Sequence, residues 1–190
     1  MNRSGLSDAL SGPPVDFTFK CINSVEDILL KEPRPGPRAI KCSEDGKLMS
    51  QALNLSYNTL TDIRGFREVV NKLLVEPNKL SWIDLSFNNL SAIDSVLTGY
   101  CNLSILNLHG NSIRQFSQVD KLAALPNLKR LTLHGNPIDE EQSYRSYVLS
   151  VLPQLKSLDF CAVSKQDRVT ANTWRRMNIR PRRVRRVENK

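Results

Sequence analysis

Nothing in these 190 residues marks an enzyme. Phosphate chemistry would call for a glycine-rich loop, acyl transfer for a nucleophile elbow, and thiol redox work for a paired-cysteine motif; none is present. The four cysteines, Cys21, Cys42, Cys101 and Cys161, have no paired spacing. That argues against a disulfide frame and for a reducing compartment, the cytosol or an organelle continuous with it. No stretch is long and apolar enough to span a membrane, and the start lacks a secretory h-region. These absences leave a cytoplasmic protein with no membrane partner, no small-molecule substrate and no cofactor.

What is present is a pattern that returns four times. It reads Ser50-Leu53-Leu55-Asn58-Leu60, then Leu80-Ile83-Leu85-Asn88-Leu90. It comes back as Leu103-Leu106-Leu108-Asn111-Ile113 and Leu128-Leu131-Leu133-Asn136-Ile138, with only Ser50 breaking the apolar positions. The asparagines stand 30, 23 and 25 residues apart, close to the period of a leucine-rich repeat. Within each run the apolar residues alternate, as in a short strand. One repeat alone cannot cover such a strand, so neighbouring coils must stack, about 4.8 Å apart. An asparagine amide both donates and accepts, so it can serve turn backbone in its own coil and the next; an ionised aspartate cannot donate. The fold class predicted is therefore α/β: a right-handed leucine-rich-repeat solenoid, parallel sheet on the concave face and short helices on the convex face.

The segments between runs carry the return. Ile63, Phe66, Val69, Val70, Leu73 and Leu74 fall at helical spacing, with Pro77 ending the helix. The other returns allow only one or two helical turns. Residues 1–14 are rich in Ser, Gly and Pro and read as disordered. Residues 15–47 form an N-terminal cap, in which Val15-Phe17-Phe19 alternates as at a strand edge and three prolines force an extended stretch. Residues 48–136 hold the repeats. Residues 137–163 form a C-terminal cap: acids at a helix start, then Tyr144, Tyr147, Val148 and Val151 on one face, and a last strand from Leu155 to Phe160. There Val163 stands where the next ladder asparagine would be.

Residues 164–190 form a basic tail. The segment 165–190 holds ten Lys and Arg against Asp167 and Glu188, which accounts for the entire net charge of +8. Val169, Trp174 and Met177 could form a short helix folded on the cap. Beyond them Arg180, Pro181 and the arginine run read as extended and solvated. A solubilising tail without a partner is the plain alternative. The functional reading is an arm for an acidic surface, carried by Arg175, Arg176, Arg180, Arg182, Arg183, Arg185 and Arg186. Nucleic acid is disfavoured, because single-strand binders add exposed aromatic platforms and the tail offers only Trp174.

Strand alternation also predicts the concave columns. One is Asn54, Asp84, Asn107, Thr132 and Asp159; its neighbour is Ser56, Ser86, His109, His134 and Cys161; flanking them run Ala52, Trp82, Ile105, Arg130 and Ser157. Polar side chains around Trp82 suit a protein-binding surface, where a buried aromatic anchor usually dominates. The candidate residues are Trp82, Asp84, Asn107, His109, Arg130, Thr132, His134 and Asp159. Tyr57 and Phe87 are read as packing between coils. A metal site at His109, His134 and Cys161 is set aside for want of a fourth ligand. Asp84 and Asp159 are three coils apart, too far for a carboxylate pair to act on one bond.

These residues resemble the short leucine-rich-repeat class of the phosphatase-regulator type, which includes an axonemal dynein light chain and a spliceosomal protein. The resemblance extends through the cap, Asn136-Pro137-Ile138…Tyr144-Arg145…Val148-Leu149…Leu152-Pro153…Leu155…Leu158-Asp159. A closer likeness within that class rests on Trp82-Ile83-Asp84-Leu85-Ser86-Phe87-Asn88 and on Trp174…Arg176-Met177-Asn178-Ile179. It implies a non-enzymatic cytoplasmic adaptor, a monomer within a larger assembly, associated with the ciliary or flagellar axoneme. An adaptor of a ribonucleoprotein or phosphatase complex is the alternative.

Overall fold

The computed structural model describes residues 12–178. Parallel strands β1 (Val15–Asp16), β2 (Ala52–Asn54), β3 (Trp82–Asp84), β4 (Ile105–Asn107), β5 (Arg130–Thr132) and β6 (Ser157–Leu158) follow one another in chain order. The last, β7 (Cys161–Ala162), turns back antiparallel on β6. Strands this short cannot stand alone. Each holds because its inward residue, from Val15 through Leu53, Ile83, Leu106 and Leu131 to Leu158, is buried against the coil on either side.

The ladder asparagines reach back one coil. Asn111 Nδ2 donates to Leu108 O of its own coil and Leu85 O of the coil before, both at 2.9 Å, while Oδ1 accepts from Leu90 N at 3.0 Å. Asn88 and Asn136 repeat this arrangement. Asn58 does the same toward the N-terminal segment, donating to Phe17 O and accepting from Lys20 N and Ile22 N. Residues 15–22 are thus a coil in their own right, in register with 53–60. Lys20 occupies the ladder position of that coil, and among the described residues no earlier coil stands for an asparagine there to serve.

Of the segment 1–14, residues 1–11 lie outside the described residues, and Pro13 O accepts a 2.7 Å hydrogen bond from Ser50 Oγ. The proline-rich stretch then covers the open edge of the sheet: Arg34 N donates to Asp16 O at 2.6 Å. On the convex side, helix α1 (Phe66–Leu73) buries Phe66, Val69 and Val70. It ends four residues before Pro77, which instead opens a 3₁₀ turn. A single turn of helix, α2 (Ser117–Asp120), serves the third return.

The C-terminal cap departs from its expected course. Asp139 and Glu140 lie in a 3₁₀ turn, Pro137–Glu140, and α3 (Tyr144–Val151) starts only afterwards. The last strand stops at Leu158, where Asp159 and Phe160 make a two-residue hairpin turn, both at positive φ (52° and 62°). A 14-residue helix, α4 (Lys165–Asn178), then packs against α3. Ala171 is fully covered, Arg168 and Trp174 are half-buried, and Val169 and Met177 face solvent. The face toward the cap is therefore Asp167, Arg168, Ala171 and Trp174 rather than the larger apolar residues. Arg175 and Arg176 are exposed on α4; Arg180, Arg182, Arg183, Arg185 and Arg186 lie outside the described residues.

Candidate functional site

Strand register places the predicted columns directly. Ala52, Trp82, Ile105, Arg130 and Ser157 are paired in sequence across five strands, as are Asn54, Asp84, Asn107 and Thr132. Trp82 is half-buried and Arg130 exposed, two coils further on. Asn107, His109 and His134 are half-exposed beside them.

Three of the candidate residues are not presented to solvent as expected. Asp84 and Thr132 are buried, and Asp159 has left its column. Asp84 Oδ1 accepts from Ser86 N (2.9 Å) and Oγ (2.6 Å), while Oδ2 accepts from Asn107 Nδ2 at 2.7 Å. Thr132 Oγ1 lies 2.8 Å from His109 Nδ1. These buried groups hold Asn107 and His109 in place, because an unpaired polar atom there would be costly.

Asp159 terminates the ladder. Its Oδ1 accepts from Leu133 N (2.7 Å) and His134 N (3.0 Å) and lies 3.3 Å from His134 Nδ1. Its Oδ2 accepts from Tyr144 Oη at 2.7 Å. Backbone that a further coil would satisfy is served instead by one carboxylate, for which acceptance alone suffices. Burial, and that carboxylate, push the Tyr144 phenol far above its ordinary range. Cys161 stands on β7, beyond the hairpin, so it does not continue the histidine column. Among the described residues no group of three His, Cys, Asp or Glu side chains is placed to hold a metal.

Just beyond the strand ends lies a feature that column analysis misses. Five rings stand in a row: Phe19, Tyr57, Phe87, His109 and His134, with successive centroids 4.5, 4.4, 5.1 and 4.6 Å apart, and Phe160 lies beside the last two, 5.6 Å from His109 and 5.5 Å from His134. Tyr57 and Phe87 do pack between coils, yet 45% and 42% of their surface stays exposed, rising to 63% for Phe19 and 70% for Phe160. His109 and His134 are stacked nearly coplanar, 8° apart. Partial burial, and then the second imidazole, lower the pKa of His109.

The backbone under this row is unusual. Phe160 has a positive φ as part of the hairpin turn, while Phe19, Tyr57 and Phe87 adopt positive φ, between 52° and 57°, at one repeated position of their coils. Glycine holds the same place in the next two coils, and at Gly110 (φ 67°) a Cβ would come within 2.7 Å of the Phe87 ring. A non-glycine residue in this region costs about 1–2 kcal/mol. A stacked aromatic pair offsets about 0.5–1.5 kcal/mol. Stacking comes on top of the apolar area that Tyr57 and Phe87 bury, and the two together offset the backbone strain. Alignment of Val15-Phe17-Phe19 with Leu53-Leu55-Tyr57 was the sequence signal that would have disclosed the row.

Stacked coils, a concave sheet with a half-buried tryptophan and an asparagine ladder together define an interaction solenoid. The chain belongs to the leucine-rich repeat family, whose model matches residues 49–186. It is similar to leucine-rich repeat-containing protein 51 of Bos taurus, at 51% identity over 183 residues covering 96% of this chain and 95% of the relative. The Homo sapiens protein of that name is 48% identical over 182 residues, covering 96% and 95%. Among solved structures it is similar to a chain of the Drosophila melanogaster SNF/U2A′ complex, at 25% identity and a TM-score of 0.58, covering 74% of this chain and 78% of that one. The coarse functional class that follows is a module for binding protein partners. Among the described residues no helix is long and apolar enough to cross a membrane.

Proposed function

We propose that this protein is a non-enzymatic adaptor that seats an element of a partner protein on its concave face, while its basic C-terminal segment contacts an acidic surface. The observation that carries the reading is Trp82, half-buried in the middle of a strand column and flanked two coils on by exposed Arg130. Tryptophan and arginine are among the residue types that most often dominate interface energetics. Asn107, His109 and His134 supply the polar surround, and Asp84, Thr132 and Asp159 fix its geometry from beneath. The setting we favour is the ciliary or flagellar axoneme, with the protein a monomer inside a larger assembly. That setting rests on the family resemblance of the sequence. A ribonucleoprotein adaptor is the second reading, favoured by likeness to a chain of the SNF/U2A′ complex.

Affinity capture from ciliated tissue tests both. Wild type and the double variant Trp82→Ala, Arg130→Glu are compared side by side. The expected result is a set of axonemal proteins retrieved by wild type and lost from the variant. Equal retrieval by both sinks the concave site, and a set dominated by ribonucleoprotein components moves the assignment to the second reading.

A further inference from the structure

We infer that the concave site is sorted by hydrogen-bond polarity: Trp82 and Arg130 at the strand starts donate, and the two histidines at the strand ends accept. The partner segment that fits carries a carboxylate for Arg130 and a lysine ammonium for the His109–His134 pair. This deepens the concave reading above and rests on it.

The histidine end is set by its neighbours. Asp159 Oδ1, an acceptor, lies 3.3 Å from His134 Nδ1, so that nitrogen carries the proton. The chain of bonds at His109 runs the same way. Asp84 Oδ2 accepts from Asn107 Nδ2 at 2.7 Å, which leaves the Asn107 carbonyl oxygen for Thr132. The Thr132 hydroxyl donates to it at 3.5 Å, and a lone pair of Thr132 Oγ1 receives His109 Nδ1–H at 2.8 Å. Both imidazoles are thus protonated at Nδ1 and bare at Nε2. Neither Nε2 is bonded within the described residues, and neither is among their buried unpaired polar atoms, Tyr100 Oη and Arg168 Nη1. Both acceptors are therefore open to solvent. Burial, and then the second imidazole, hold His109 below the ordinary histidine range, which keeps it neutral at pH 7.

Geometry selects the donor. The rings lie 8° from parallel with centroids 4.6 Å apart, and the same atom of each is bonded, so the Nε2 atoms are spaced about as the centroids are. One nitrogen about 2.9 Å from both then subtends an angle near the tetrahedral one. An ammonium carries its donors in that arrangement, whereas the guanidinium fork matches paired oxygens of one planar group. The surrounding charge is local and negative. Asp84 on β3 and Asp159 after β6 stand behind the imidazoles through the bonds just described, and Asp139 accepts from Gly135 N, beside His134, at 2.6 Å. The Tyr144 phenol donates to Asp159 and stays protonated, and Arg145 of α3 is a cation within range of Asp159. Phe87 and Phe160, which also flank the rings, carry no charge.

The strand starts have the opposite sense. The Trp82 indole N–H and the Arg130 guanidinium can only donate, and neither is bonded within the described residues. Arg130 and His134 stand four residues apart on one coil, about 13 Å of extended chain. A segment laid the other way round would set its ammonium against Arg130 and its carboxylate against imidazole lone pairs. The site therefore also fixes the direction in which the segment lies.

Two experiments on the full chain test this. Long-range proton–nitrogen NMR at about pH 7.5 should show Nδ1 protonated and Nε2 bare in both histidines. A proton on either Nε2 overturns the inference. Peptides selected from a displayed random library at the same pH should combine Lys with Asp or Glu, and fluorescence anisotropy then follows them in double-mutant cycles. A selected peptide should lose about tenfold in affinity for His134→Phe, which keeps a ring in the stack, while its Lys→Met counterpart loses less than about twofold. His109→Phe is the second variant should His134→Phe melt below wild type. The acidic residue of the peptide should couple to Arg130→Gln in the same way, and the crossed pairs should be additive. Acidification to about pH 5.5 should weaken wild-type binding at least about tenfold, since an imidazolium donates and repels an ammonium. Additivity throughout, or affinity indifferent to acid, while Trp82→Ala still abolishes binding, overturns the inference and leaves the concave reading standing. Binding indifferent to Trp82→Ala places the peptide elsewhere and overturns both, and recovery of no binding peptide overturns the inference.

Discussion

Asn111 shows how much one side chain holds in this architecture. It is 7% exposed and bridges two coils, with Leu85 O, Leu108 O and Leu90 N all depending on its amide. Alanine would leave those three backbone groups buried without that partner. The expected loss is about 1–3 kcal/mol, because the penalty for stranding buried polar groups outweighs the modest net worth of a hydrogen bond. Urea unfolding of Asn111→Ala is the measurement; an unshifted midpoint would contradict the ladder's role. The same logic explains why the terminal residue is an aspartate. At the end of the stack Leu133 N, His134 N and Tyr144 Oη all need an acceptor, and Asp159 supplies only acceptors.

Among the elements, α4 is the one whose attachment can be switched by a single charge. Arg145 grips Asp167 through two parallel bonds, Nε to Oδ1 at 2.9 Å and Nη2 to Oδ2 at 3.0 Å. Asp167 also exchanges hydrogen bonds with Ser164, as a capping box does at a helix start. The Arg145 guanidinium, with the Ser164 amide next, holds the Asp167 carboxyl well below the usual carboxylate range. A depressed folded pKa contributes stability that is fully present above the unfolded value, about 3.9, and fades as pH falls below it. Protection of the α4 amides, taken relative to their intrinsic exchange rate at each pH, should therefore be high at neutral pH and fall only in acid below that value. Asp167→Asn should show fast exchange in α4 at pH 7, with the coils before it unaffected. Equal protection in the variant would mean that Ala171 and Trp174 suffice to dock the helix. The sequence made the four consensus coils legible, because leucine spacing and ladder asparagines repeat. It hid the first coil, where Lys20 replaces asparagine and Phe17 replaces leucine. It hid the closing hairpin too, since Asp159-Phe160 lacks the Asn-Gly composition that such turns favour. The contact face of α4 was obscured because its most deeply buried residue is a small one, Ala171. Of the candidate site, the register of Trp82 and Arg130 was readable from alternation alone. The burial of Asp84 and Thr132 was not, for it depends on hydrogen bonds between coils.

At the scale of the whole molecule, charge is segregated: residues 1–164 hold 17 basic and 17 acidic residues, and 165–190 hold all of the excess. The packed helix places Arg175 and Arg176 at the surface, at the end of an ordered element that leads into the remaining arginines. An arm of this kind speeds encounter with an acidic surface and loses strength with salt, since exposed charges are screened over about 8–10 Å at physiological ionic strength. Salt dependence alone does not separate an acidic protein from nucleic acid, because both carry it. Stacking does. Trp174, the tail's sole aromatic residue, is engaged edge-on with Tyr147 at 5.4 Å and is not free as a platform. Microtubules with their acidic tubulin tails are therefore the probe of choice. A chain ending at Asn178 keeps α4 intact and removes Arg180, Arg182, Arg183, Arg185 and Arg186. Wild type should cosediment with microtubules, release as salt rises, and fail to pellet once the tubulin tails are removed. The shortened chain should pellet several-fold less. Equal pelleting would take the arginine run out of the mechanism, and competition by RNA at low concentration would replace the acidic protein surface with nucleic acid as its target.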